Sequence, residues 1–268
     1  MRRVAVCLAV LALAAAGCGG GGGETAQDVL AETSNNLSKI KSGDLTLDLL
    51  FAANGGERAG FDLQGPFKLR EGKLPEAQLD YTQIAGPRTA TQTFILAGDN
   101  AYVSIRGTTY ELPPTAGAGI KSSLGSSSGL AVINLSNWIR DPKLEDGGEV
   151  GGAETDHITG RLNVANVVSG LVAIAAQTGG TTPLTQLQGA SAQQVEDAVK
   201  TATIDVYTGK DDRLLRKLDM QIQFSPAAQK VRSLVGASVH FTLGIDRPNE
   251  NVSIEQPVNA KPYPGSLP

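Results

Sequence analysis

Gly125-Ser126-Ser127-Ser128-Gly129 satisfies G-x-S-x-G, the turn that presents a hydrolase serine to its substrate. Such a turn needs a strand before the serine and a helix after it to project the hydroxyl. Lys121 to Leu130 is instead Ser/Gly low-complexity sequence with no β run ahead of it, which argues against Ser127 as a nucleophile. Gly117 to Ser123 has the flavour of a phosphate loop, but Lys121 does not follow a glycine at the required spacing. The two histidines sit in strand patterns, Asp156-His157-Ile158 and Val239-His240-Phe241, where alternation places them on the polar face. Glu154, Asp156 and His157 lack the spacing by which zinc gathers three or four ligands. The asparagines of three N-x-S patterns, Asn36, Asn134 and Asn251, match glycosylation acceptors by pattern only. The expectation is a protein with no catalytic residue, no metal and no cofactor.

Cys18 is the residue whose position does imply chemistry. Met1-Arg2-Arg3 is basic, and Val4 to Ala16 is an uninterrupted apolar run of 13 residues. That is shorter than the ~20 residues a membrane-spanning helix needs, and it reads as an export signal. Ala14-Ala15-Ala16-Gly17-Cys18 resembles the lipobox of bacterial lipoproteins, with Ala15 where leucine is usual. Plain cleavage after Ala16 is the competing reading, since small residues also suit the ordinary signal peptidase. Cysteine usage decides between them. Cys7 leaves with the signal, so Cys18 would be the lone cysteine of an exported chain with no disulfide partner. Acylation, with chains such as palmitate at ~0.8 kcal/mol per buried CH₂, would hold the protein on a membrane.

The elements behind that anchor follow from composition and periodicity. The 268 residues are 41% hydrophobic, 19% charged and 4% aromatic, against both wholesale disorder and a polytopic membrane protein. Removing residues 1–17 takes two arginines and no acid from a chain of formal charge −4, so the mature balance is more acidic still and argues against nucleic acid as a partner. The reading divides the chain into a signal over 1–17, an acylated cysteine and glycine tether over 18–24, a single domain over 25–262 and a tail over 263–268.

Thr25 can cap a helix with Ala26, Val29, Leu30, Thr33, Leu37 and Ile40 on one side and Asn35, Asn36, Lys39 and Lys41 on the other. From Asp44 to about Leu112 the period is two, predicting an antiparallel meander of five to seven strands with short turn clusters between them. Leu135 to Ile139 reads as a helical turn ending before Asp141-Pro142, and Glu149 to Arg161 as one strand broken by Gly151-Gly152. Val164, Val167, Val168, Leu171, Val172 and Ala175 form a helical stripe beside a small-residue stripe of Ala165, Ser169, Ala173 and Ala176. Ser191 to Gln194 is a capping box opening a further helix. Four strands are expected to close the chain, the last at Val252/Ile254. The order makes an α+β domain dominated by an antiparallel sheet.

This pattern resembles the mycobacterial LppX/LprAFG family of lipoproteins. The residues that carry the resemblance are Glu149 to Arg161, Ala202 to Tyr207 leading to Leu214 to Leu218, Val252 to Pro257, and the Ile95 to Val103 hairpin. The resemblance implies a curved antiparallel sheet, a half-barrel with helices covering its concave face, as in LolA-like carriers, and a lipid or lipoglycan held between sheet and helices. It also implies an actinobacterial cell envelope, attachment to the cytoplasmic membrane through acylated Cys18, and a membrane exporter as a further partner. The Gly/Ser-rich segment 113–129 and the loop 178–190 depart from the family.

Alternation proposes the cavity lining. Leu47, Leu49, Phe51, Phe61, Leu63 and Val103 share a face of the early sheet. Met220, Ile222, Phe224, Val239 and Phe241 share one of the late sheet, with Val168, Leu171 and Val172 on the helix between them. The alternative function is a non-catalytic envelope anchor, sensor or interaction protein that keeps the fold without a lipid cavity.

Overall fold

The structure, a computed structural model, describes residues 24–71, 73–116, 118, 133–177, 191–225 and 234–265. The signal segment, Cys18, Lys121, Ser127 and the loop 178–190 lie outside the described residues.

Helix α1 (Ala26–Asn36) opens on a reciprocal cap. The Asp28 amide donates to the Thr25 hydroxyl at 3.2 Å, and the Asp28 carboxylate accepts from that hydroxyl at 2.6 Å and from the Thr25 amide at 3.2 Å. These bonds to the ionised form hold the Asp28 carboxyl below its ordinary pKa. Val29, Leu30, Thr33, Leu37 and Ile40 are buried as the spacing predicts. Asn36, expected on the polar side, is buried too. Its amide donates to the carbonyls of Asp212 and Arg213, each at 3.4 Å, because a turn from the second half of the chain packs over the helix end.

Six strands follow: β1 (Ser42–Ala52), β2 (Arg58–Lys68), β3 (Glu76–Ala85), β4 (Arg88–Ala97), β5 (Asn100–Ile105) and β6 (Thr108–Glu111). After the short helix α2 (Leu135–Trp138) come β7 (Ile139–Val150), β8 (Ala153–Leu162), α3 (Val164–Gln177) and α4 (Ala192–Ala198). The chain closes with β9 (Val199–Gly209), β10 (Leu215–Phe224), β11 (Ser238–Asp246) and the short β12 (Lys261–Pro262). Neighbours run β12-β6-β5-β4-β3-β2-β1-β11-β10-β9-β8-β7 in one open sheet, so the β1/β11 ladder joins the two halves of the sequence. Every pairing is antiparallel except β12 on β6. Strand twist accumulates across so many strands, and the sheet curls as a half-barrel with the helices on its concave face.

Two expectations are corrected, and one strand, β7, was not foreseen. Glu149 to Arg161 is not one strand: Gly151 and Gly152, at φ 60° and 77°, form the two-residue turn between β7 and β8. β7 escaped detection because it is an edge strand with irregularities at Arg140/Lys143 and Asp146/Gly148, which break period two and leave room for Pro142. Val252 to Ile254 form no strand. That segment belongs to a strap instead. The Ser42 hydroxyl donates to the Glu250 carbonyl at 2.6 Å and the Gln256 amide to the Tyr102 hydroxyl at 2.7 Å, after which β12 pairs along the free edge of β6.

A buried polar chain fixes α1 to the sheet. The Thr33 hydroxyl lies 2.8 Å from the Val29 carbonyl and 3.0 Å from the Thr208 hydroxyl, which donates to the Leu214 carbonyl at 3.2 Å. The same β9–β10 turn is tied by Arg216, whose guanidinium donates to the Asp212 carboxylate at 2.7 Å and the Leu214 carbonyl at 3.1 Å.

Candidate functional site: the concave face

Cross-strand register turns the alternating residues into rows. Leu63, Leu47, Leu243, Leu218, Val206, Ile158 and Leu144 stand opposite one another across seven strands, from β2 to β7. Phe61, Leu49, Phe241, Met220 and Ile204 form a second row, and Ala59, Phe51, Val239, Ile222 and Ala202 a third. Because side chains alternate strictly, all of these project from the same face.

Burial along the rows is unequal. Leu218, Ile222, Phe241 and Leu243 are fully buried and Met220 nearly so, in one cluster with Val167 and Leu171 of α3. Phe224 and Val239 are sealed in the same way. Towards β2–β4 the seal loosens, and Leu63, Leu79, Tyr81 and Phe94 are only half-buried. An aromatic strip marks this region: Phe61 stacks on Tyr81 with centroids 6.0 Å apart, and Phe94 lies tilted against Tyr81 at 6.1 Å. Burial pushes the Tyr81 phenol above its ordinary pKa, as expected for a hydroxyl in apolar surroundings. Val103 is buried opposite Phe94, and Gln92 faces Tyr81 across the β3/β4 ladder.

Leu47, Leu49, Phe51 and Phe61 share one face as alternation expects, and Leu79, Tyr81 and Phe94, absent from the expected lining, share it too. The missing signal was register. Leu63 pairs with Tyr81 and Leu79 with Phe94, which alternation within one strand does not reveal.

On α3, Val164, Val167, Val168, Leu171 and Val172 are buried. Of the small-residue stripe, Ser169 is exposed and Ala165 and Ala173 are half-buried. The close approach is made by Gly170, where a Cβ would fall 2.4 Å from Trp138 Cζ2. α3 therefore seats on α2 through glycine.

The convex face is polar. His157 Nε2 is 2.8 Å from an Asp205 carboxylate oxygen, and its ring stacks on Tyr207 at 4.5 Å. His240 Nε2 lies 3.4 Å from Asp219, and Thr242 donates to that same Asp219 at 3.0 Å. The aspartate and the threonine hydroxyl both approach Nε2 of His240. Asp156 projects to the opposite face from His157 and pairs with Arg213, while Glu154 lies 4.0 Å from Lys210. Glu154, Asp156 and His157 thus do not converge on a metal. Among the described residues no helix is long and apolar enough to cross a membrane.

The fold and this face define an open antiparallel half-barrel whose concave side is apolar, sealed under helices at one flank and lined by half-buried aromatics at the other. Neither a protein-family model nor a curated protein matches the chain. Among solved structures it resembles LprF from Mycobacterium bovis, 12% identical over 88% of this chain and 100% of that one, with a TM-score of 0.44. MucB in complex with MucA(peri) is 12% identical over 84% of this chain and 57% of that one, at TM-score 0.27. A LolA superfamily protein from Nitrosomonas europaea is 11% identical over 84% and 96%, at TM-score 0.21.

Proposed function

We propose that this chain is a non-enzymatic lipoprotein, held by acylated Cys18 on the extracytoplasmic face of the cell membrane, whose single domain over 25–262 binds acyl chains of a lipid or glycolipid and carries them within the envelope. The observation that supports it is the unequal burial of the concave face: the rows are closed at β9–β11 but leave Leu63, Leu79, Tyr81 and Phe94 half-buried. An acyl chain of sixteen carbons costs ~13 kcal/mol to expose to water at ~0.8 per CH₂, so transfer across an aqueous gap needs such an apolar surface. The aromatic strip would lie along the chain, with Gln92 at hand for a polar group. An exporter would be a further partner.

Extraction of lipid from purified, denatured protein, together with uptake of a fluorescent lipid analogue, tests this. Wild type is expected to release lipid and take up the analogue, and Tyr81→Lys with Phe94→Lys to lose both. Absence of lipid in wild type, with no uptake, overturns the carrier reading. The second reading is an envelope anchor, sensor or interaction protein with a filled interior. It is favoured by the complete burial of Leu171, Ile222 and Phe241, which behave as packed core.

A further inference from the structure

The concave face of the first half of the sheet is graded along its strands. On β3 the residues that share the face of Tyr81 run Ala77, Leu79, Tyr81, Gln83 and Ala85, and on β4 their cross-strand partners run Leu96, Phe94, Gln92, Ala90 and Arg88. Exposure rises along both in the same direction. Ala77 and Leu96 are buried, Leu79, Phe94, Tyr81 and Gln92 are half-buried, and Gln83, Ala90, Ala85 and Arg88 are exposed. Neighbouring strands close the buried end, where Phe67 of β2 pairs with Ala77 and Ala101 of β5 with Leu96. The face is therefore shut beside Ala77 and Leu96 and open at the β3–β4 turn.

Chemistry follows exposure. Aliphatic side chains lie at the closed end, the rings of Tyr81 and Phe94 next, then the amides of Gln83 and Gln92, and a guanidinium at the mouth. Every other position that register turns to the concave side on β2 to β6 is uncharged, so Arg88 is the one charge on this flank. Arg88 forms no ion pair among the described residues, Glu57 in the exposed β1–β2 turn included. Arg58, which begins the neighbouring β2, belongs to the other side. It stands opposite Ala52 on the convex face that also carries Asp48, whose pKa it pulls down.

We propose that the ligand of this face is a lipid with an anionic headgroup, lying with its chain towards Ala77 and Leu96 and its headgroup at Arg88. This rests on the concave face holding lipid, and it assigns the headgroup and the direction. Arg88 to Leu96 spans ~27 Å at ~3.4 Å per residue, and a lipid in one leaflet of a ~40–45 Å bilayer is about 20 Å long, so chain and headgroup both fit on the graded stretch. The reverse orientation would press a charged group against buried Ala77, Leu96 and Phe67, where its lost hydration is not replaced. A guanidinium suits a phosphate in particular, because it donates two parallel hydrogen bonds to it.

The test is binding, by the full chain carrying Cys18→Ser, of two probes with the same pyrene-ended acyl chains, a phosphatidic acid and a diacylglycerol. The apolar segment Val4 to Ala16 is common to every variant, and Tyr81→Lys with Phe94→Lys measures whatever binds outside the concave face. Wild type should prefer the phosphatidic acid. Arg88→Gln should weaken that probe by up to about fivefold, the scale of an exposed ion pair, and change the diacylglycerol by less than about twofold. Arg88→Lys should keep part of the preference and Arg58→Gln, on the convex side, all of it. High salt should narrow the gap between the probes. Aqueous iodide should quench a fluorophore placed on the headgroup but not pyrene at the chain end. If wild type and Arg88→Gln bind both probes alike while Tyr81→Lys with Phe94→Lys abolishes binding, the headgroup assignment falls and the carrier reading stands. If neither probe binds, or binding survives the Tyr81 and Phe94 changes, the carrier reading fails and the headgroup assignment with it. Displacement by millimolar glycerol phosphate, which has no acyl chain, also overturns the assignment, as does a chain end open to iodide. Unchanged melting of Arg88→Gln shows that its loss is not unfolding.

Discussion

Gly170 of α3 stands against the indole of Trp138 so closely that a Cβ at position 170 would lie 2.4 Å from Cζ2 and 3.1 Å from Cε2. Trp138 is buried and ends α2, so this one contact sets how deeply α3 sits over the sheet. Gly170→Ala gains up to ~1 kcal/mol of helix propensity but forces the indole aside, an overpacking cost of about 1–3 kcal/mol. The net expectation is a lower melting temperature. Ser169→Ala, on the exposed neighbour, should melt as wild type.

Asp48 and Asp62 are directly opposite on β1 and β2. Burial raises the Asp48 pKa, His240 lowers it, and Asp62 raises it further. A carboxyl whose folded pKa lies above its unfolded value binds its proton more tightly when folded. Its contribution is most favourable below the unfolded value and is lost as pH rises through the folded one. Asp48→Asn should therefore stabilise at pH 7, by about 0.2–1 kcal/mol for relief of a cross-strand like-charge pair, and this gain should vanish near pH 3. Urea unfolding at the two pH values checks it.

The two flanks of the concave face should respond differently to truncation. Met220→Ala and Phe241→Ala remove fully packed side chains and should cost about 2–5 kcal/mol. Tyr81→Ala removes a half-buried one and should cost less while reducing uptake of a lipid analogue. A loss of stability from Tyr81→Ala equal to that from Phe241→Ala would make the strip ordinary core.

Ser169→Trp places its ring in solvent and should leave both stability and lipid uptake unchanged. Val168→Trp enters the sealed interior and should destabilise. Thermal melting of both variants separates the exposed from the buried side of α3.

Acylation is tested apart from the fold. Cys18→Ser should release the protein from the membrane fraction or leave an uncleaved precursor, as fractionation and mass measurement will show. A variant that stays cleaved and membrane-bound overturns the lipobox reading.

What the sequence by itself determined is what neighbours in the chain decide. The Thr25 and Ser191 caps, the buried stripes of α1 and α3, and the alternating faces of β1, β2, β10 and β11 are set by interactions within a turn or two, and they stood where periodicity placed them. Tertiary structure decided the rest. β7 is held by pairing with β8 rather than by its own pattern, and Val252 and Ile254 alternate without forming a strand. Tyr81 and Phe94 enter the candidate site only through the register of β2, β3 and β4. A residue's local spacing fixes which side of its own element it occupies; which distant residues share that side depends on how strands pair, and pairing is a property of the whole sheet.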